Sequence, residues 1–150
     1  MTAARRDPRH RARETALQIL YHWDIARTDV RQAADTFFDA QWSGGPGGRD
    51  PAPDAVRHFA TALASETVAD IEAIDRLIAD TTERWRPERM AVIDRLILRM
   101  AVGELLHAKD TPPAVIINEA LELARTFSTE DAVKFINGML DGIRKKLEAS

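Results

Sequence analysis

An all-α fold is the prediction for this chain, and three observations carry it. Apolar residues recur at three- and four-residue steps along most of the 150 positions, whereas the apolar–polar alternation of half-buried strands is rare. Residues suited to starting a helix, among them Pro8, Thr111 with Pro112, and Ser128, stand just ahead of such runs. The apolar fraction of 45% supplies a real core for one domain of this length.

The elements follow in order. A first helix is expected over about 9–27, with Ala12, Ala16, Ile19, Leu20 and Trp23 on one face and Pro8 near its start. A second covers about 30–42, with Ala33, Phe37 and Ala40 or Gln41 on a weaker stripe. Residues 43–53, SGGPGGRDPAP, hold four glycines and three prolines and cannot continue a helix. They read as a surface loop, since about 42 residues are few for an independent domain before it. An anion-binding glycine loop is the sharper alternative, but the Gly-Lys-Ser/Thr ending of a P-loop is missing.

Residues 54–85 read as two helices, with a break near 65–69 where Ser, Thr and Val weaken the run. Pro87 ends that stretch, because it disfavours helix at Arg86. The segment MAVIDRLILRMAVGELL, 90–106, is apolar round much of its circumference and belongs at a bundle's centre. Thr111 is the expected cap of the next helix, with Pro112 at its first position. Ser128 is the expected cap of the last, whose stripe is Ala132, Ile136, Met139, Leu140, Ile143 and Leu147. Glu130 and Asp131 at its start and Arg144, Lys145 and Lys146 near its end complement the helix dipole. The total is about seven helices, a bundle by pattern alone.

The charge is unevenly spread. Five arginines against Asp7 give residues 1–13 a net charge of +4, leaving −7 for the rest of a chain whose formal net charge is −3. A basic start on an acidic body points towards nucleic acid, with a solvated terminus as the plain alternative. Cysteine is absent, which excludes disulfides and thiolate metal sites and suits a reducing cytoplasm. No apolar run reaches the roughly 20 residues of a membrane span, and no signal-peptide block follows the basic start.

Nothing in the sequence argues for an enzyme. His10, His22, His58 and His107 lack metal-ligand spacing and read as surface or boundary residues. There is no Gly-x-Ser-x-Gly elbow, and Glu119 alone is not an acid/base pair. No cofactor and no metal is expected. Asn118, Asn137 and Gly138 are poor helix formers inside helices. The favoured reading is close helix packing at the glycine with the amides bonded across it; a ligand site is the alternative. Lys134 beside Phe135 is the cation–aromatic pairing that single-stranded nucleic acid uses, although helical spacing also allows Phe135 in the core. Tyr21 has the same ambiguity.

Four segments together resemble the NusB family of bacterial transcription antitermination factors: RARETALQILYHWD at 11–24, DRLILRMAVGEL at 94–105, INEALELARTF at 117–127 and EDAVKFINGMLD at 130–141. Their order and spacing cover nearly the whole chain; residues 30–86 share only the helical rhythm. The resemblance implies two small helical subdomains, boxA-type single-stranded RNA of ribosomal RNA transcripts as ligand, and NusE, a small-subunit ribosomal protein, as partner. It further implies a place in an RNA polymerase antitermination complex, homodimers in some members, and no catalysis. By position, Arg9, Arg11, Arg13, Asp131, Lys134 and Phe135 match RNA-binding residues, and Tyr21 and Asp94 match residues that face NusE. His10 stands where an arginine is frequent, Gly103 where a tyrosine is, and Ser128-Thr129 where a glycine is.

The expected organisation is one RNA-binding domain over 1–150, with 1–8 a flexible basic arm. The arm and first helix hold phosphates, and Phe135 and its neighbours read unstacked bases. Two rival readings remain. One is the NusB-like module of a ribosomal RNA methyltransferase, against which stands the expectation that no catalytic domain follows Ser150. The other is a helical protein–protein adaptor without RNA.

Overall fold

The computed structural model describes residues 8–42, 52–83 and 85–149. Among them all regular structure is helical: seven α-helices, one π-helical turn and one 3₁₀ turn. The chain divides into two compact units, Met1–Val68 and Ala69–Ser150. None of the described helices is long and apolar enough to cross a membrane.

In the first unit, α1 is Pro8–Ala26, and the missing amide of its opening proline costs nothing there. Ala12, Ala16, Leu17, Ile19 and Leu20 are buried along it. The chain leaves α1 through Arg27, whose φ of 59° is the left-handed turn that ends many helices. Asp29 caps α2 (Val30–Thr36), its Oδ2 accepting from the amides of Arg31 and Gln32. The second helix expected as one piece changes type at Phe37: residues Phe37–Gln41 form a π-helical turn. That turn groups the Phe37, Phe38 and Trp42 rings at centroid distances of 5.3–6.5 Å. The third helix, α3, is Asp54–Ala69.

The break expected near 65–69 falls later, at Asp70. Thr67 stays inside α3, buried, with its hydroxyl donating to the Leu63 carbonyl at 2.8 Å. The second unit then holds α4 (Ile71–Thr81), a 3₁₀ turn at Pro87–Arg89, α5 (Val92–His107), α6 (Pro113–Phe127) and α7 (Glu130–Ala149). As its all-round apolar pattern predicts, α5 is central: it contacts α4, α6 and α7. Arg99 on α5 grips both carboxylate oxygens of Asp75 on α4 at 2.8 Å and lies over Trp85. Arg95 donates to the carbonyls of Pro87 and Met90, fixing the connection into α5.

Two expected caps move. Thr111 lies in the preceding turn, and Pro112 takes the N-cap with Pro113 first in α6. A proline at 113 forces its predecessor into extended backbone, the conformation a cap needs. Ser128 closes α6 rather than opening α7. Thr129 is the N-terminal cap, its Oγ1 accepting from the Ala132 amide at 3.1 Å. Of the arm expected over 1–8 only Pro8 is described, and it is helical; of the loop expected over 43–53 only Ala52 and Pro53 are described.

Candidate nucleic-acid interface

The arginine-rich start splits when it coils into α1. Arg9 is exposed. His10, expected at the surface or its boundary, is 4% accessible, with Nε2 3.1 Å from Glu14 Oε1 one turn on. Arg11 is half-buried, and its guanidinium lies 4.6 Å from the centroid of Trp42. Arg13 is 2% accessible and lies over the Phe59 ring at 5.5 Å. A third pair, Arg57 over Phe38 at 4.8 Å, completes the set. These cation–π contacts link α1 to the π turn and to α3, and α3 to the π turn. Phosphate could meet Arg13 only if the side chain left Phe59.

In the second unit the residues expected to bind RNA do share a face. Asp131 precedes Lys134 and Phe135 by three and four residues, and Gly138 follows them by four and three, along the first turns of α7. Asp131 and Lys134 are exposed, and Phe135 is half-buried. Neither charged side chain has an ion pair among the described residues. Beside them opens a cavity of about 340 Å³ lined by Thr81, Thr82, Lys134, Phe135, Gly138 and Met139.

The close packing expected at Gly138 is absent. Gly138 and Asn137 are exposed, and a Cβ at 138 would meet nothing within 4 Å. Asn118 is exposed as well. The tight helix approach lies one turn further, at Gly142, where a Cβ would stand 3.3 Å from Thr81 Cγ2. Sequence spacing could not separate the two glycines, because both follow the same helical period.

The two residues expected to meet a protein partner are accessible. Tyr21 on α1 is 45% exposed, and Ile25, one turn on, is 60% exposed. Ile25 was not singled out from the sequence, although it lies off the Ala12–Leu20 stripe. Asp94, in the first turn of α5, is half-buried, and its Oδ1 accepts a hydrogen bond from the Ser128 hydroxyl. That contact anchors the carboxylate to the α6–α7 corner.

Residues 10–145 match the NusB family. The transcription antitermination protein NusB of Solibacter usitatus is 42% identical over 139 residues, which is 93% of this chain and 90% of the relative. The solved T. maritima NusB superimposes with a TM-score of 0.79 at 32% identity, covering 93% of this chain and 92% of that one. A crystal structure of antitermination factors NusB and NusE in complex with dsRNA gives a TM-score of 0.77 at 26% identity, covering 93% and 97%.

Proposed function

The chain belongs to the NusB family, and on that premise we propose that it is a transcription antitermination factor binding boxA-type RNA of ribosomal RNA transcripts together with NusE. The observation that carries the reading is a relative of the same fold, solved with both NusE and RNA, that covers nearly all of this chain. The chemistry on α7 supports it. Lys134 offers an exposed cation for phosphate, Phe135 a ring face for a base, and Asp131 an acceptor for a base amino group. Arg9 and Arg11 on α1 add positive charge for the backbone, with Arg13 available only by leaving Phe59.

Tyr21 and Asp94 are the proposed contacts for NusE. An aromatic with a polar tip and an anchored carboxylate suit a basic ribosomal protein. The protein works in the cytoplasm, within an RNA polymerase complex, and its role includes no catalytic step.

A second reading concerns the form of the RNA, because the solved relative holds dsRNA. Filter binding separates the two. Single-stranded boxA RNA is expected to be retained, more so with NusE present, and to outcompete a duplex of the same sequence. Equal competition by duplex RNA favours recognition of helical shape, and no retention of either form contradicts the proposal.

A further inference from the structure

Three arginines of the first unit lie over aromatic rings, and they differ in how far water reaches them. Arg13 is 2% accessible, so its place over Phe59 is internal. Arg57 makes the same kind of contact with Phe38, at 4.8 Å, while 45% of its side chain stays accessible. An exposed pair of this kind adds little to stability, because water still solvates the cation. Its place in the helix is unfavourable too. Arg57 is the fourth residue of α3, at the end where the helix dipole disfavours positive charge. Its one ion pair among the described residues is with Asp35 at 3.4 Å, and that carboxylate is itself 71% accessible. The fold gains little from a cation held in this way.

We propose that Arg57 is a phosphate contact for single-stranded RNA, and that Phe38 is the positioning residue that holds it ready. The inference rests on the RNA-binding reading above. A guanidinium has five N–H donors, and Asp35 takes one of those of Arg57. The Phe38 ring steadies the cation without consuming a donor, so the others stay open to a phosphate. Phe38 is itself fixed. Its ring meets Phe37 at 5.3 Å and Trp42 at 5.9 Å, and Phe37 is 4% accessible. Trp42 also lies under Arg11 at 4.6 Å. Two guanidiniums therefore border one aromatic cluster, which the π-helical turn assembles entirely within the first unit. Phe38 and Trp42 are only half-buried. Cations beside partly open rings are what a single strand uses, the charge for its backbone and the rings for its bases. Those rings favour a strand over an acidic protein surface, because bases stack where carboxylates do not.

The test combines a loss and a gain. Binding of single-stranded boxA RNA with its flanking nucleotides is followed by fluorescence anisotropy at several salt concentrations. Arg57→Ala is expected to weaken binding several-fold and to make the slope of log K against log salt shallower by about 0.7, one phosphate contact on a single strand. Phe38→Leu keeps the charge and loses the ring, so weaker binding at the parent's slope is expected. Asp35→Ala removes the competing carboxylate and is expected to tighten binding roughly 1.5- to 5-fold, the range an exposed ion pair is worth. That gain is expected to vanish when Arg57→Ala is already present. Asp110→Ala removes an equal charge from an exposed position of the second unit and is expected to bind like the parent.

A parent-like salt slope for Arg57→Ala overturns the proposal, and parent-like binding by Phe38→Leu overturns the positioning role. Unchanged or weaker binding by Asp35→Ala also overturns it, as does a gain that Asp110→Ala shares or that survives the loss of Arg57. Tighter binding cannot come from a damaged fold, so the Asp35→Ala arm decides the matter even where Arg57→Ala or Phe38→Leu melts early. Failure of the parent to bind any RNA sinks the functional reading itself. RNA binding that ignores Arg57 is a different result, and it would leave the cluster to an acidic protein surface.

Discussion

Phe135 is half-buried, so its ring can serve both the fold and a ligand, and one substitution separates the two. Phe135→Ala is expected to weaken RNA binding by about 1–3 kcal/mol with little change in melting temperature. A large fall in melting temperature at unchanged RNA affinity would assign the ring to the core. Asp94 is tied to Ser128, and this gives the partner face its own check. Asp94→Lys is expected to abolish NusE binding in a pull-down while the helical circular-dichroism signal stays intact. Ser128→Ala is expected to weaken NusE binding less, since it frees the carboxylate without removing it, and to cost about 0.5–1.5 kcal/mol of stability. Asp131, Lys134 and Phe135 were singled out by the family resemblance, and the fold puts them on one face of α7. The environments of Arg11 and Arg13 were not legible in the sequence. Both looked like solvated charge, and only the fold reveals that Trp42 and Phe59 lie beneath them.

At the scale of elements, helix existence was written in the apolar period and helix ends were not. All seven expected helices form, yet the break at Asp70 and the caps at Pro112 and Thr129 lie one to five residues from their expected places. Local competition explains the shifted caps. Pro113 fixes Pro112 as extended, and Ser128 turns to Asp94 instead of capping. The two glycines of α7 give opposite predictions. Gly138→Ala is expected to stabilise by about 0.5–1 kcal/mol, because the new methyl meets nothing and the helix gains propensity. Gly142→Leu is expected to destabilise by about 1–3 kcal/mol, because it drives into Thr81. Thermal melts of both variants check the pair. Between α4 and α5, Arg99→Ala removes both bonds to Asp75 and the contact with Trp85. A loss of about 1.5–3 kcal/mol is expected, a fall of several degrees in melting temperature.

For the whole molecule, the proposed function asks an acidic chain to bind a polyanion. With a formal net charge of −3, general attraction cannot bring RNA to this surface, so a few placed cations must do it. Family membership was legible because the four matching segments keep their order and spacing, whereas 30–86 share only the helical rhythm. Each proposed phosphate contact releases counterions, so the number of contacts appears in the salt dependence of binding. The most direct measurement is therefore the slope of log K against log salt for single-stranded boxA RNA, comparing the parent with Arg9→Ala/Lys134→Ala, two exposed cations. The double variant is expected to bind more weakly and to show a slope shallower by about 1.4. A slope equal to the parent's would contradict the account, because RNA would then be held by charges other than those of α1 and α7.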